Sequence, residues 1–252
     1  MGKYSGILIC SDFDGTLRGK NGIPENNLTA IKQFQSEGGL FSIITGRSYK
    51  FFKKYADKID FNTYLGAMNG TVIWHAPTDT VVFEDIMKGD YASKILKIKS
   101  VCPNFRDLDL YTDGVNIQFP VGSMDFDDNF FKAISKPLNK IVIHGYEPYS
   151  DEPLAAIKEI LGESYLLSQS WASGIEIQNA DCTKGTAVRR IATLTGANKL
   201  ICVGDYGNDI PMLTEADIGY AVANANDSVK AVADRITVSA EEGAIEKIIS
   251  EL

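Results

Sequence analysis

The chain has 252 residues, of which 44% are hydrophobic, and a formal net charge of -8. This length accommodates one large domain or two modest ones with a sizeable buried core. The acidic balance argues against nucleic acid or an anionic membrane as a partner, but local charges and a bound cation would still admit a small anionic substrate. The sequence shows no leader pattern and no apolar run of membrane-spanning length, so neither is predicted.

Cysteine and histidine usage argues against a structural zinc site. The four cysteines are far apart and form no Cys-x-x-Cys pair, so no disulfide framework is predicted and a cytoplasmic location fits best. His75 and His144 each follow a strand-like run and are predicted to be structural rather than catalytic.

The first part of the chain alternates strand and helix patterns. Short links between alternating strands and helices predict a parallel sheet with right-handed crossovers. The predicted elements are a strand at 7–10, a helix at 24–38, a strand at 40–44, a helix at 48–56, a strand at 63–67 and a hairpin-like turn at Asn69-Gly70.

The middle of the chain, residues 83–179, has a different pattern. Strands alternate with helical stretches, and turn signals such as Asp113-Gly114 suggest antiparallel pairing. A separate α+β module inserted into the first domain is therefore predicted. Its predicted helices are at 91–101, 127–135 and 153–161, and its strands are at 114–119, 140–144 and 174–178.

The alternating pattern resumes after Thr183. The predicted elements are a helix at 183–194, a strand at 199–203, a short helix led by Pro211, a strand at 218–222, a helix at 228–234 and a terminal helix from Ala240. The predicted fold class is α/β, with a Rossmann-like parallel-sheet core made of residues 1–82 and 180–252 and an inserted α+β cap domain at 83–179. Such an arrangement predicts a ligand-binding cleft between the two domains.

Polar clusters follow three of the predicted parallel strands. Asp12 and Asp14 follow the first strand, Thr45 follows the second, and Asp205 and Asp209 follow the strand at 199–203. The carboxyl ends of parallel strands share one edge of the sheet, which is where ligands bind in open α/β folds. Carboxylates gathered there repel one another unless a cation compensates, and oxygen ligands favour magnesium over zinc.

Lys184 opens the helix after Thr183, where backbone N–H groups and the helix dipole favour an anion. Its ammonium group and the Thr45 hydroxyl could hold phosphoryl oxygens. Taken singly, each feature also fits a simpler structure. The acidic pair fits a solvated turn, Lys184 fits an exposed charge, and Asp209 fits a helix N-cap. Their joint placement at strand ends favours a site.

Four ordered segments contain the polar residues described above. They are Asp12-Phe13-Asp14-Gly15-Thr16-Leu17, Thr45-Gly46-Arg47, Lys184 and Gly204-Asp205-Tyr206-Gly207-Asn208-Asp209. These segments resemble the four motifs of the haloacid dehalogenase-like phosphatases. The long insertion between the second and third motifs resembles the large α/β cap of the Cof-type sugar-phosphate phosphatase subgroup, and Asn69-Gly70 and residues 219–225 are also similar to that subgroup.

The resemblance implies roles for individual residues. Asp12 would attack phosphorus and form an aspartyl-phosphate, and Asp14 would protonate the leaving alcohol and later deprotonate the hydrolytic water. Mg²⁺ would be held by the Asp12 carboxylate, the main-chain carbonyl of Asp14 and Asp205. Asn208 and Asp209 would orient that shell, and which of them ligates directly stays open.

The phosphate of the substrate would be bound by Thr45, Gly46, Lys184 and Asn208, of which Thr45 and Lys184 also neutralise developing charge. The predicted function is a Mg²⁺-dependent phosphatase for a small phosphorylated metabolite, with a sugar phosphate favoured. A sugar phosphomutase and a non-catalytic phosphometabolite-binding protein are the alternatives. A monomer is the default expectation.

Overall fold

The structure is a computed structural model that describes residues 2–55, 58–120, 130–131, 134 and 136–252. The chain divides into two compact units. The core unit comprises Met1–Phe83 and Thr183–Leu252, and the inserted unit comprises Glu84–Cys182. The boundaries between the units therefore fall after Phe83 and Cys182. The sequence predicts them after residues 82 and 179.

The strands and helices follow the alternating pattern of the sequence. In chain order the strands are β1 (Ile7–Ser11), β2 (Leu40–Ile43), β3 (Tyr64–Ala67), β4 (Val72–His75), β5 (Thr80–Glu84), β6 (Phe105–Thr112), β7 (Val115–Pro120), β8 (Lys140–Gly145), β9 (Tyr165–Ser168), β10 (Gly174–Asn179), β11 (Lys199–Gly204), β12 (Ile218–Ala221) and β13 (Arg235–Ile236). The helices are α1 (Glu25–Ser36), α2 (Tyr49–Phe52), α3 (Tyr91–Val101), α4 (Asp151–Leu161), α5 (Lys184–Thr195), α6 (Ile210–Glu215), α7 (Asp227–Lys230) and α8 (Ala244–Ser250).

The core unit is built on a five-stranded parallel sheet in the order β13-β12-β11-β1-β2. The central strand β1 lies between β11 and β2, and its residues from Leu8 onward are buried. A strand buried on both faces has the continuous apolar sequence seen here. The predicted parallel-sheet α/β fold is confirmed, and it places the loops after β1, β2 and β11 side by side.

A second, smaller sheet in the order β3-β4-β5 continues the core unit beyond β2. A parallel bridge between Ile44 and Gly66 connects β2 to β3. The antiparallel strands β3 and β4 are joined by a tight turn in which Met68 and Asn69 have φ values of 51° and 57°. This turn brings the backbone N–H of Asn69 against the loop after β2, as described below.

The inserted unit is an antiparallel sheet in the order β7-β6-β8-β10-β9. Its apolar face packs against α3 and α4 through buried side chains such as Ile98, Ile157 and Ile177. The insertion is therefore the α+β module that the sequence predicts. The helix predicted at 127–135 lies largely outside the described residues.

Several helices are shorter than predicted. In place of a helix at 48–56, α2 ends at Phe52 and a 3₁₀ turn follows at Lys53–Tyr55, since this aromatic-rich segment has low helix propensity. The terminal helix begins at Ala244 rather than Ala240, because Gly243 has a φ of +94° and separates it from a 3₁₀ turn.

Candidate active site

A buried lysine links two of the predicted carboxylates. Asp12 follows β1, where its backbone N–H donates to the carbonyl of Val203 at 3.0 Å. Lys184, the first residue of α5, donates from Nζ to Asp12 Oδ1 at 2.6 Å and to Asp209 Oδ1 at 2.5 Å. All three side chains are almost fully buried. An ammonium group shared between two buried carboxylates compensates part of their charge.

Local chain geometry fixes the position of Lys184. Thr183 caps α5 in a reciprocal pair in which its hydroxyl accepts from the N–H of Thr186, and the Thr186 hydroxyl accepts from the N–H of Thr183. A Cβ on Gly185 would lie only 2.7 Å from the carbonyl oxygen of Pro211. Glycine at this position therefore lets the first turn of α5 approach the start of α6 closely.

Asp205 and Asp209 are held by the loop after β11. Oδ2 of Asp209 accepts from the backbone N–H groups of Asp205 at 2.9 Å and Tyr206 at 3.1 Å, so both of its carboxylate oxygens are engaged. Oδ1 of Asp205 accepts from the Thr16 hydroxyl at 2.9 Å. The turn that carries Thr16 needs glycine at position 15, where φ is +87° and a Cβ would lie 2.3 Å from the Asp205 carboxylate.

The three carboxylates form a strongly negative cluster. Asp12, Asp205 and Asp209 each offer an oxygen within 4.8 Å of the others. Burial, opposed by Lys184 and reinforced by the two neighbouring carboxylates, raises the pKa of Asp12 well above its ordinary value. Burial and the charge of Asp209 raise the pKa of Asp205 to about 7.

Lys184 remains charged in this environment. Burial lowers the pKa of its ammonium group, but the charges of Asp12 and Asp209 outweigh burial and raise that pKa above its ordinary value. One ammonium group nevertheless faces three carboxylates. An all-oxygen donor set with excess negative charge suits a hard divalent cation such as Mg²⁺.

Thr45 and Asn208 are joined through Asn69. The backbone N–H of Thr45 donates to the carbonyl of Gly66 at 2.8 Å, and its carbonyl accepts from the N–H of Asn69 at the same distance. Asn208 donates from Nδ2 to Oδ1 of Asn69 at 3.3 Å. The sequence assigns no role to Asn69 beyond a turn, although Asn-Gly after a strand is a signal for the positive φ it adopts.

The Asp14 side chain is paired with two arginines. Arg47, which Gly46 joins to Thr45, donates from Nη2 to Asp14 Oδ1 at 3.1 Å and from Nε to Oδ2. Arg18 donates from Nη1 to Oδ1 at 3.0 Å. Among the described residues, the carboxylate cluster is formed by Asp12, Asp205 and Asp209 and does not include this side chain. Neither arginine was given a role from the sequence.

The fold and this arrangement define an α/β protein with a carboxylate-rich site at the carboxyl edge of its parallel sheet. The chain belongs to the haloacid dehalogenase-like hydrolase family, whose model matches residues 9–249. The resemblance to the Cof-type phosphatases of this superfamily is confirmed, and so is the predicted enzyme class of phosphoric monoester hydrolase.

Individual relatives match over nearly the whole chain. The 5-amino-6-(5-phospho-D-ribitylamino)uracil phosphatase YitU of Bacillus subtilis is 27% identical, with 97% of this chain and 96% of the relative covered. The structure of a haloacid dehalogenase-like hydrolase from B. subtilis has a TM-score of 0.84 at 21% identity and covers 97% of this chain and 99% of its own. The HAD subclass IIB sugar phosphatase BT4131 has a TM-score of 0.80 at 18% identity, with 97% and 98% covered.

In the part of the chain that the structure describes, no helix is both long and apolar enough to cross a membrane.

Proposed function

We propose that this protein is a Mg²⁺-dependent phosphatase that hydrolyses a small phosphate monoester through an aspartyl-phosphate intermediate. The observation that carries the proposal is the buried contact of Lys184 with Asp12 and Asp209 inside a cluster of three carboxylates. A carboxylate is a weak nucleophile, so it needs a phosphoryl group whose negative charge is neutralised. Lysine and a cation beside Asp12 supply that neutralisation.

The residues that would hold Mg²⁺ are the carboxylates of Asp12 and Asp205 and the main-chain carbonyl of Asp14, and Asp209 would orient them. The fit rests on the excess charge and the oxygen-only donors of the cluster. When bound, Mg²⁺ neutralises charge on the carboxylates and on the phosphoryl group. Asp209 is already engaged at both oxygens, which supports Asp209 as the residue that orients the shell.

The reaction proceeds in two steps on this chain. An oxygen of Asp12 attacks phosphorus, the bond from phosphorus to the leaving oxygen breaks, and Asp14 gives its proton to the departing alcohol. Asp14 then takes a proton from a water molecule, whose oxygen attacks phosphorus and releases phosphate and the free Asp12 carboxylate. Lys184 holds the phosphoryl oxygens throughout.

The remaining predicted residues bind the phosphoryl group. The Thr45 hydroxyl, the backbone of Gly46 and the Asn208 amide would take this role from the loops after β2 and β11. The link through Asn69 fixes Thr45 and Asn208 relative to each other. Such rigid placement provides the positioning that phosphoryl transfer depends on.

The substrate is a small phosphorylated metabolite, and a sugar phosphate is the favoured class. One relative is named a 5-amino-6-(5-phospho-D-ribitylamino)uracil phosphatase and one structural neighbour a sugar phosphatase, and both names support this choice. We expect a cytoplasmic enzyme with neither nucleic acid nor a membrane as a partner, and a monomer is the default state. Product analysis with a hexose 1-phosphate distinguishes hydrolysis, which releases phosphate, from phosphomutase activity, which yields an isomeric ester.

The proposal is tested by replacing the nucleophile. Asp12→Asn is expected to abolish Mg²⁺-dependent phosphate release from p-nitrophenyl phosphate, while the exposed Asp60→Asn keeps wild-type activity. Borohydride reduction of wild-type enzyme quenched during turnover is expected to convert the aspartyl-phosphate to homoserine at position 12. Undiminished turnover by Asp12→Asn, or reduction at another carboxylate, would refute the mechanism.

A further inference from the structure

Both oxygens of the Asp14 carboxylate are engaged by guanidinium groups. Arg47 contacts Oδ1 and Oδ2 through Nη2 and Nε, which is the bidentate geometry in which a planar guanidinium matches a carboxylate. Arg18 adds one contact to Oδ1. The Asp14 side chain is still 39% exposed, so burial by itself leaves it free to rotate. The arginines therefore determine where its carboxylate points.

Arg47 is itself held in place from several directions. Its backbone N–H donates to the Thr45 hydroxyl at 3.2 Å, and its carbonyl accepts from the N–H of Met68 at 2.9 Å. The guanidinium carbon lies 4.3 Å from the ring centroid of Phe51, a cation–π contact. Phe51 packs edge-on against the buried ring of Phe13, whose centroid is 6.0 Å away.

These contacts connect Arg47 to the reacting residues on both sides. Phe13 separates Asp12 from Asp14 in the chain, and Thr45 binds the phosphoryl group in the proposed function. An exposed ion pair contributes little by itself, but a bidentate pair whose arginine is packed and hydrogen-bonded holds one geometry. A general acid must lie within hydrogen-bond reach of the oxygen it protonates, so this geometry matters for the rate.

We propose that Arg47 is the positioning residue for Asp14. It holds the carboxyl group in the orientation from which Asp14 protonates the leaving oxygen and later accepts a proton from water. The inference rests on the proposed function, because it takes Asp14 as the general acid and base. Arg47 acts through Asp14 and makes no bond to the reacting atoms.

The rival role for Arg47 is direct binding of the phosphoryl group. The two roles predict that the loss of rate in an Arg47 variant depends differently on the leaving group. An alkoxide leaves only with a proton, whereas p-nitrophenolate leaves without one. Loss of a residue that positions the acid therefore impairs alkyl phosphates selectively, and loss of a phosphoryl ligand impairs all substrates alike.

The test measures kcat/KM, which reports the step in which the leaving group departs, for p-nitrophenyl phosphate, phenyl phosphate and glycerol phosphate. Asp14→Asn is expected to lose roughly 10²-fold more activity on glycerol phosphate than on p-nitrophenyl phosphate. Arg47→Ala is expected to lose roughly 10-fold more activity on glycerol phosphate than on p-nitrophenyl phosphate, since misplacement of a catalytic group by about 1 Å has effects up to 10²-fold. Arg47→Lys restores little, because lysine cannot form the bidentate pair.

Controls separate positioning from a general effect on folding. Arg189→Ala removes another arginine–carboxylate pair of the core unit, to Glu215, and is expected to leave all three kcat/KM values unchanged. Thermal melting checks each variant. Arg47→Gln, which keeps the aliphatic stem over Phe51, repeats the test if the alanine variant does not fold.

The double variant Asp14→Asn/Arg47→Ala decides whether Arg47 acts through Asp14. If it does, the double variant is no slower on glycerol phosphate than Asp14→Asn alone. An equal loss on all substrates for Arg47→Ala, or a further loss in the double variant, would overturn the inference and leave the proposed function intact. If Asp14→Asn itself lacks leaving-group selectivity, the general-acid role fails and the inference fails with it.

Discussion

The cost of burying several carboxylates together in this site can be measured at Asp205. Its pKa is raised from 3.8 to about 7, first by burial and then by the charge of Asp209. A carboxyl group with a raised pKa binds more protons in the folded than in the unfolded protein. Its contribution therefore reduces the stability of the metal-free protein progressively as pH rises from about 4 to 7.

Replacing this carboxylate is expected to stabilise the metal-free protein. At pH 8 the full penalty of Asp205 is present, so Asp205→Asn should raise the free energy of unfolding by about 1–2 kcal/mol. The difference should shrink as pH falls and should vanish near pH 4, where the group is protonated in both states. Urea denaturation at several pH values in the presence of a chelator measures it.

Added Mg²⁺ provides the matched control for this prediction. A cation that binds only the folded state should raise the stability of the wild type, by about 2.7 kcal/mol at 100 times its Kd. Asp205→Asn should lose most of this gain, while Asp60→Asn, at an exposed position, should keep it. A Mg²⁺ response of equal size in Asp205→Asn would show that Asp205 is not part of the cation site.

At the scale of single elements, the start of α5 decides where Lys184 points. Thr183→Ala removes the hydroxyl that accepts from the Thr186 N–H, and the helix should lose about 1 kcal/mol of stability. Because Lys184 is the first helical residue, kcat should fall severalfold as well, while KM changes less. Thr183→Ser keeps the cap and should retain both stability and kcat. Steady-state kinetics and thermal melting of the two variants check this, and a serine variant as impaired as alanine would contradict it.

Some elements could be predicted from the sequence and others could not. β1, β2 and β11 are mainly apolar runs that are followed by polar residues or end at glycine, so their existence follows from burial on both faces. The sequence does not predict β6, because aspartate is uncommon in strands and β6 has aspartates at positions 107 and 109. It forms because its alternate residues Leu108 and Leu110 are buried in the core of the inserted unit.

At the scale of the whole molecule, the candidate site was predictable where it depends on backbone topology. The parallel sheet brings the loops after β1 and β11 together, so Asp12 and Asp209 meet around Lys184. The pairing of Asp14 with Arg47 was not predictable, since it depends on long side chains whose rotamers are set by neighbours such as Phe51. Sequence spacing identifies which loops meet, but not which side chains bond across them.

Each unit also has a hydrophobic cluster of its own. Among the described residues, most buried apolar side chains belong to one of two clusters, one in each unit. Ile177 is fully buried in the cluster of the inserted unit, and Ile201 is fully buried in that of the core unit. A cavity at either position removes apolar contacts from one cluster only, so the two units should respond differently to local damage.

Ile177→Ala should therefore destabilise the inserted unit by about 2–4 kcal/mol and speed amide exchange in β8 and β10, while exchange in β1 stays slow. Ile201→Ala is the reciprocal control, because it should speed exchange in β1 and in the loops that carry the site. Hydrogen exchange read by mass spectrometry on both variants separates the two effects. Equal acceleration in β1 and β8 for Ile177→Ala would mean that the units unfold as one cooperative body, and damage to the insertion would then weaken the Asp12–Lys184 site directly.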